Sequence, residues 1–345
     1  MRVGLKGESV AEKLFIASGM LPEKALLPFF TTVVSNAVLT AQRLDLFTLL
    51  ADKSLSTDEI VEKLDSDHHA TKVLLEALTA FGYLDREKDL FKLNGEFQKS
   101  LNGRMSEAAK SIMQFAPDIA RNFEKLDEAV KTGAVDNMHF NPSTPTCWPN
   151  YLSFLKNVSE DGTKSLVKTT RFSNPPLKML DVAGGPAQYS IAFCKKYADL
   201  KATILDLPEA AAAGRPEIEH AGLTDRISYV EGDFFKSDWG SGYDFALLSN
   251  ILHALPEEQC QLLINRAFEA LKPGGIIVTN DVDFPSEDEP IDFMAGWSSL
   301  LYFTMTGART HPTQSVKAWI ALAGFTNVKI TKARTSARIV GHKTQ

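Results

Sequence analysis

The segment Leu180 to Ala187 combines an acidic residue with a glycine-containing turn, which is typical of a ligand-binding loop. Its sequence, LDVAGGPA, places Asp181 at the end of an apolar strand and Gly184 and Gly185 in the turn before the next helix. Glycine lets a ligand approach the backbone closely, and the free N–H groups of a helix start attract a carboxylate or a phosphate. Asp181 is suited to an ammonium group. Glycines also occur in turns that bind nothing, so the loop alone does not decide between these two interpretations.

Three further side chains lie at the ends of the next two predicted strands. Asp206 ends the strand KATILDL, 21 residues after Gly185, a spacing at which an acidic residue meets ribose hydroxyls in nucleotide-binding folds. Asp233 and Phe234 follow the next strand, where a carboxylate can accept a hydrogen bond from an adenine amino group and an aromatic ring can pack on adenine. The glycines lack the GxGxxG spacing of dinucleotide folds. The set therefore favours an adenosine-containing ligand over a dinucleotide.

His253 and Asp281 follow two later strands of the same predicted sheet. His253 lies in SNILHAL, and Asp281 lies 28 residues further on in VTNDVDF. The ligand crevice of a parallel sheet lies at the carboxyl ends of its strands, so both side chains are predicted to share one crevice. A carboxylate there fixes the tautomer of an imidazole and stabilises its charged form. A histidine of this kind is also compatible with a structural role, and Asp283 is an alternative partner.

Composition excludes several classes of protein. The 345 residues contain 37 basic and 43 acidic side chains, a net charge of −6, which disfavours a nucleic-acid-binding role. The length exceeds one ordinary core and predicts two domains. Cys147, Cys194 and Cys260 form no CxxC pair, which favours a reduced cytoplasmic protein without disulfides or a bound metal. No uninterrupted apolar run approaches about 18 residues, so neither a signal peptide nor a membrane span is predicted.

Residues 1–104 are predicted to form a helical domain that contains a winged helix. Apolar residues recur three and four positions apart over residues 29–46, which predicts a helix whose apolar stripe must be buried. Ser56 and Glu59 have the spacing of a capping box at the start of a second helix. A third helix, His69 to Phe81, is followed by a segment that alternates polar and apolar residues around a charged turn, as a hairpin does.

A winged helix raises the alternative of a DNA-binding regulator. Residues 51–100 contain eleven acidic and seven basic residues, and the third helix offers only Lys72 as a full positive charge. DNA-binding modules normally cluster lysine and arginine on the reading element. The charge balance therefore disfavours the regulator, which stays an alternative.

Residues 105–172 are predicted to be connecting helices, and residues 173–345 an α/β domain. A proline-rich break, NPSTPTCWPN, interrupts the connecting region, and its surrounding aromatic residues fit either core packing or the wall of an apolar pocket. These aromatic residues are Phe140, Trp148, Tyr151 and Phe154. From Leu177 onward, apolar strands alternate with helices, which predicts a parallel sheet.

The ordered set of strand-end residues resembles the S-adenosylmethionine-dependent O-methyltransferases of the caffeate and acetylserotonin type and their bacterial relatives. The resemblance extends over nearly the whole chain. It implies a winged-helix domain that forms a homodimer, and a Rossmann-like domain whose parallel sheet ends in a C-terminal antiparallel strand. The implied reaction is methyl transfer from S-adenosyl-L-methionine to a hydroxyl group of a small aromatic or polyketide-like molecule.

The resemblance also assigns cofactor contacts residue by residue. The corresponding positions are Asp181, Gly184, Gly185, Asp206, Asp233, Phe234 and Ser249. Asp181, Gly184 and Gly185 would face the methionine moiety, Asp206 the ribose, and Asp233, Phe234 and Ser249 the adenine. Ala183 and Ala187 depart from the family, which has glycine at both positions, and their methyl groups are expected to narrow the turn.

The resemblance also assigns catalytic roles, with His253 as the general base and Asp281 as the residue that orients it. The base would remove the proton of the acceptor hydroxyl while the protein aligns donor and acceptor. Two acidic residues of plant members are replaced here by Ala254 and Ala308. For that reason C- or N-methylation, or a cofactor-assisted reaction without methyl transfer, stays an alternative on the same fold.

The acceptor pocket is predicted to involve the apolar segment 293–310. Core packing explains most of its side chains, and the resemblance assigns a subset to the acceptor. The predicted pocket residues are Trp148, Met294, Trp297 and Met305. Arg309 and His311 are polar candidates for the rim, or else surface residues.

Overall fold

The computed structural model describes residues 9–18, 22–102, 106–333 and 335–344. The chain forms two compact units, divided between Pro117 and Asp118.

The first unit contains short helices and a small sheet. Its elements are α1 (Val10–Ala17), α2 (Glu23–Arg43), α3 (Leu46–Leu49), β1 (Leu55–Ser56), α4 (Thr57–Leu64), α5 (His68–Ala80), β2 (Leu84–Glu87), β3 (Leu90–Leu93) and α6 (Gly95–Asn102), and α7 (Ser106–Phe123) crosses the division. The strands pair antiparallel in the order β1-β3-β2. The predicted helices and hairpin are therefore present. The capping box also forms, because the Ser56 hydroxyl accepts from the Glu59 N–H and the Glu59 carboxylate accepts from the Ser56 N–H.

Helix α2 buries only the C-terminal half of its apolar stripe within this chain. Val38 and Ala41 are buried, whereas Phe29 is 68% exposed and Val33 is 50% exposed. By length and composition alone, α2 is also apolar enough to cross a membrane. The prediction that the whole stripe is buried is therefore not met inside one chain. An exposed apolar surface of this kind usually marks an interaction site.

The second unit is built around a sheet covered by helices. Its elements are α8 (Leu126–Thr132), α9 (Cys147–Val158), α10 (Glu160–Thr169), β4 (Lys178–Val182), α11 (Gln188–Lys196), β5 (Lys201–Asp206), α12 (Pro208–His220), β6 (Ile227–Glu231), β7 (Tyr243–Ser249), α13 (Glu257–Ala270), β8 (Leu271–Val282), α14 (Phe293–Thr306), α15 (Thr313–Leu322), β9 (Thr326–Lys332) and β10 (Ser336–His342). The strand order is β6-β5-β4-β7-β8-β10-β9. The strands β4 to β8 are parallel, and β10 is antiparallel to both of its neighbours. The Rossmann-like prediction with a C-terminal antiparallel strand is confirmed.

Strand β4 forms the centre of this sheet and buries both of its faces. Leu180 and Val182 belong to one apolar core, and Met179 belongs to the other. Burial on both faces explains why the strand is an almost continuous apolar run. The chain proceeds from β4 to β5 on one side and later returns to β7 on the other side. A parallel sheet binds ligands at the carboxyl ends of its strands where the strand order reverses, which here is the end of β4.

Candidate active site

The loop after β4 is tied to the end of β5. Gly184 packs so tightly that a Cβ atom there would lie 2.8 Å from the Asp181 carboxylate and from the Ile204 side chain. Gly185 has a φ of 54°, and its N–H donates a hydrogen bond of 2.7 Å to Oδ2 of Asp206. Both glycines are therefore required by the local geometry. The structure brings together four of the residues predicted to hold the cofactor, Asp181, Gly184, Gly185 and Asp206.

Two hydroxyl groups that sequence reasoning did not single out support this loop. The Tyr229 hydroxyl donates to the carbonyl oxygen of Gly185 at 2.7 Å, and the Ser190 hydroxyl donates to Oδ2 of Asp181 at 2.7 Å. Gly214 makes room for the tyrosine, because a Cβ atom there would lie 1.8 Å from the Tyr229 hydroxyl oxygen. Both hydroxyls fix the loop from the protein side. Three N–H groups of the loop are also bonded within the protein, since Ala183 donates to the Leu205 carbonyl, Gly185 to Asp206 and Ala187 to the Gly184 carbonyl.

The two carboxyl groups of the loop are unusually basic. Burial raises the pKa of Asp181 to about 7 and that of Asp206 to about 6. Asp206 accepts from the N–H groups of Gly185 and Leu207, one at each oxygen. A carboxylate oxygen has two acceptor positions, so Asp206 can accept two more hydrogen bonds. A ribose diol fits that remaining capacity, and the glycine loop leaves space that a side chain would fill.

Ala183 and Ala187 both adopt the left-handed conformation, with φ angles of 56° and 68°. This conformation costs an L-residue with a Cβ atom about 1–2 kcal/mol. The backbone therefore follows the course expected for glycine at both positions. The two methyl groups differ in their surroundings, since Ala187 is fully buried in the core and Ala183 is only partly buried in the wall of a cavity.

We expect Ala183→Gly to raise the free energy of unfolding by about 0.5–1 kcal/mol. Relief of the left-handed strain outweighs the greater freedom of glycine in the unfolded chain. Ala187→Gly is the matched control, because loss of its buried methyl group, worth about 0.8 kcal/mol, offsets most of the gain. Thermal unfolding measures both variants. A lower melting temperature for Ala183→Gly than for the wild type would contradict the strain argument.

The residues predicted to hold adenine follow β6 and β7. Phe234 lines the same cavity as Asp206. Asp233 is partly buried beside it, accepts from the Phe235 N–H at 2.8 Å and forms an ion pair with Lys236 at 3.2 Å. Ser249 is buried, and its hydroxyl accepts from the Asn280 side chain at 3.3 Å. The structure thus places Phe234 directly in the cavity and Asp233 next to it, whereas Ser249 does not line it.

One cavity joins the strand ends to the proline-rich segment. The strand-end side is formed by Ala183, Gly185, Asp206, Leu207, Ala210, Phe234, Asn250, Ile251, Ala254 and Leu255, and the opposite side by Asn137, His139, Phe140, Trp148, Tyr151, Leu152 and Leu155. Of the four aromatic residues noted in the sequence, three line this cavity and Phe154 does not. The aromatic residues around the proline-rich break therefore form a pocket wall. The predicted acceptor residue Trp148 therefore lines the same cavity as the predicted cofactor residues Gly185, Asp206 and Phe234.

His253 and Asp281 form a close pair at the carboxyl ends of β7 and β8. Nδ1 of His253 lies 2.5 Å from Oδ1 of Asp281, and the Leu252 and Val282 N–H groups also donate to this carboxylate. Burial raises the pKa of Asp281, but the adjacent His253 outweighs that effect, and the net pKa lies below its ordinary value. An ionised carboxylate bonded to Nδ1 orients Nε2 as the proton acceptor. The assignment of His253 as general base stays a prediction.

The cavity wall covers His253, whose side chain is 4% exposed. Its neighbours Ile251, Ala254 and Leu255 line the cavity, whereas His253 lines a small adjoining void with Asp281. The ring of Tyr302 in α14 stacks on the imidazole with centroids 3.5 Å apart and planes within 16°. This contact fixes the plane of the imidazole. Sequence reasoning did not identify Tyr302.

The three predicted residues of α14, Met294, Trp297 and Met305, do not line this cavity. Met305 is 2% exposed and its carbonyl accepts from the Met138 N–H, whereas Trp297 is 51% exposed. Met294 is partly buried. Their assignment to the acceptor pocket, together with that of Trp148, stays a prediction.

The remaining polar candidates have partners within the protein. Asp283, the alternative partner of the histidine, accepts from the Thr313 hydroxyl at 2.7 Å and forms an ion pair with Lys332 at 3.0 Å. Nε2 of His311 lies 2.8 Å from the Leu255 carbonyl oxygen. The Arg309 guanidinium lies 5.3 Å from the Phe284 ring centroid. Within the described ranges, no group of three or more ligating side chains is placed to hold a metal ion.

Family models match both parts of the chain. The O-methyltransferase domain model matches residues 135–326, more than half of the chain, and the O-methyltransferase dimerisation domain model matches residues 28–99. The chain belongs to the O-methyltransferase family. It is accordingly an S-adenosylmethionine-dependent enzyme, and the alternative of a winged-helix regulator is set aside.

Characterised relatives share about a quarter of the sequence. The chain is 26% identical over 309 residues to the tetracenomycin polyketide synthesis 8-O-methyl transferase TcmO of Streptomyces glaucescens, covering 86% of this chain and 89% of the relative. It is 26% identical over 265 residues to the L-tyrosine C(3)-methyltransferase of Streptomyces lavendulae, covering 73% and 72%. The solved structure of PigF with SAH, a protein of a Serratia species, superposes with a TM-score of 0.78 at 24% identity and covers 93% of this chain and 99% of that one. This last likeness supports the fold.

Proposed function

We propose that the enzyme methylates a hydroxyl group of a small aromatic or polyketide-like acceptor, with His253 as general base. The observation that carries this proposal is the His253–Asp281 pair at the strand ends, directly behind the cavity that Asp206 and Phe234 line. TcmO, a relative by sequence, is named as an O-methyltransferase of polyketide synthesis. The aromatic residues of the opposite wall suit a flat, apolar acceptor.

The residues of the cavity fit S-adenosylmethionine, which supplies an electrophilic methyl group when bound. Asp206 would accept the ribose hydroxyls, Phe234 would pack on the adenine, and the backbone of the loop after Asp181 would face the methionine moiety. Gly185 lines the cavity, and no atom lies within 4 Å of the position that its Cβ would occupy, so its backbone is open to close approach.

The proposed role of the histidine is to accept the proton of the acceptor hydroxyl group. His253 would accept it at Nε2, while Asp281 holds Nδ1 protonated and stabilises the charged ring. Tyr302 keeps the ring plane fixed during this transfer. Alignment of acceptor and donor in a closed cavity supplies most of the remaining acceleration, about 7–11 kcal/mol in favourable cases.

C-methylation is the second candidate. Ala254 and Ala308 stand where plant members have acidic residues, and one relative is named as an L-tyrosine C(3)-methyltransferase. A phenolate formed by His253 is nucleophilic at its ring carbons as well as at oxygen. The position of the transferred methyl group in the product, determined by NMR spectroscopy, distinguishes the two reactions.

A homodimer formed through α2 accounts for the exposed apolar half of that helix. Phe29 and Val33 lie within the residues matched by the dimerisation model. The same face carries Thr32 and Asn36 nearby, and polar groups of this kind suit a protein interface better than a lipid core. Sedimentation analysis tests the dimer.

The proposed location is the cytoplasm.

Thermal unfolding with S-adenosylhomocysteine tests the cofactor site. At about 100 times its dissociation constant a ligand adds about 2.7 kcal/mol of stability, so we expect a rise of several degrees in the melting temperature. NAD serves as the control ligand and Asp206→Asn as the control variant, and neither is expected to give this rise. An equal shift with NAD, or no shift with S-adenosylhomocysteine, would contradict the proposal.

A further inference from the structure

We propose that His139 binds the hydroxyl group of the acceptor by a hydrogen bond from its side chain. This inference rests on the proposed function, because it concerns the same cavity and the same hydroxylated aromatic acceptor. No predicted site included His139, which lies in a turn between α8 and α9.

The position of His139 is set by an aromatic cluster. Its ring centroid lies 5.5 Å from that of Trp148 and 5.4 Å from that of Tyr151, and both contacts are tilted or edge-on. All three side chains line the same cavity as Asp206 and Phe234. A ligand in this cavity can therefore contact both the predicted cofactor residues and this cluster. Two aromatic residues there present apolar surface, and the histidine adds a polar group to it.

The imidazole of His139 has unused hydrogen-bonding capacity. The backbone N–H of His139 donates to the Asn137 side chain at 3.0 Å, but its ring makes no hydrogen bond to any residue in the described part of the chain. A neutral imidazole carries one donor and one acceptor, and polar groups in such surroundings are normally paired. A hydroxyl group on the acceptor can satisfy either ring nitrogen. The cavity thus offers a specific partner for the one polar group that every proposed acceptor carries.

The two histidines near the cavity differ in their surroundings, and this difference gives them different tasks. Burial and the neighbouring His253 lower the pKa of His139 to about 4, so it stays neutral at physiological pH. His253 has the carboxylate of Asp281 to stabilise its cation, whereas His139 lies among aromatic rings. His139 is therefore suited to hold the hydroxyl group and His253 to take its proton. A neutral partner also avoids a second positive charge when His253 becomes cationic.

A ligand pair that differs by one hydroxyl group tests this assignment. The enzyme loaded with S-adenosylhomocysteine is titrated with 2-naphthol and with naphthalene, and the ratio of the two dissociation constants is compared between variants. We expect His139→Phe, which keeps a ring against Trp148 and Tyr151, to reduce the preference for 2-naphthol about 5- to 10-fold, the effect of one lost hydrogen bond. His139→Gln, which retains a donor and an acceptor, should preserve part of that preference. Affinity for S-adenosylhomocysteine should be the same in all three proteins.

The outcomes separate this inference from the proposed function. An unchanged preference for 2-naphthol in His139→Phe would overturn the role of His139 and leave the acceptor class intact. Equal weakening of both ligands would also overturn it, since that result indicates a packing role only. A wild-type enzyme that binds S-adenosylhomocysteine but shows no preference for 2-naphthol would overturn the aromatic hydroxyl acceptor, and this inference with it.

Discussion

Replacing His253 with alanine is expected to lower kcat about 10²- to 10⁴-fold and to leave the affinity for S-adenosylhomocysteine unchanged. The histidine is bonded to Asp281 and stacked on Tyr302, and it lies outside the loop that holds Asp206. Its removal therefore takes away the proton acceptor without disturbing the cofactor residues. Methyl transfer at saturating S-adenosylmethionine measures kcat, and calorimetric titration measures the affinity.

Two further variants make this result interpretable. His342→Ala removes an exposed histidine at the end of β10 and should leave kcat unchanged. Asp281→Asn keeps a side chain of similar shape and removes the charge, so it should lower kcat and leave cofactor binding intact. Unchanged turnover in His253→Ala would retire the base assignment. It would instead favour an acceptor that reaches the cavity already ionised.

The strand-end residues were predictable because a parallel sheet constrains them. Asp181, Asp206, Asp281 and His253 each follow an apolar run, and parallel strands carry their ligand residues at one edge. The positions of these residues directly after apolar strands therefore predict, from the sequence alone, that their side chains share a crevice. The distances add that Asp206 bonds the loop at Gly185 and that His253 bonds Asp281.

Helix α14 shows where sequence reasoning stops. Its sequence, FMAGWSSLLYFTMT, is apolar on every side. Periodicity reveals the buried face of a helix only when the other face is polar. The prediction selected Met294, Trp297 and Met305, and it did not select Tyr302, which stacks on His253. His139 was missed for a related reason, because it lies in a turn where no period applies.

Helix α2 shows a second limit. A repeating apolar stripe predicts that one face of a helix is buried. It does not indicate whether the same chain or a second chain covers that face. Here Val38 and Ala41 pack inside the chain, and Phe29 and Val33 stay exposed. The resemblance implied a homodimer, and the match to a dimerisation domain over residues 28–99 supports a second chain as the partner of the exposed half.

The affinity for the cofactor is expected to increase as the pH rises from 5 to 8. Asp206 must be ionised to accept hydrogen bonds from ribose hydroxyls, yet burial raises its pKa to about 6 and that of Asp181 to about 7. Below its pKa each group costs a factor of about ten in affinity per pH unit. Asp206 alone therefore predicts affinity about tenfold weaker at pH 5 than at pH 8.

The stability of the free protein should depend on pH with the opposite sign. A carboxyl whose pKa is raised by folding binds its proton more tightly in the folded state, so folding is favoured at low pH. For Asp181 and Asp206 this contribution is present near pH 4 and is lost as the pH rises through about 6 and 7. Other groups add to the measured stability, so the comparison of wild type with Asp206→Asn isolates the share of Asp206.

Calorimetric titration with S-adenosylhomocysteine at pH 5, 6, 7 and 8 measures this linkage. Asp206→Asn should bind more weakly at pH 8 and lose part of the pH dependence, because its amide does not titrate. His253→Ala should retain the full pH dependence of the wild type, since its ring lies outside the cofactor loop. Affinity that stays constant from pH 5 to 8 would show that the two carboxyl groups do not bind the ligand in their ionised form. The same titrations therefore separate the acids that bind the cofactor from the histidine that is expected to accept the proton.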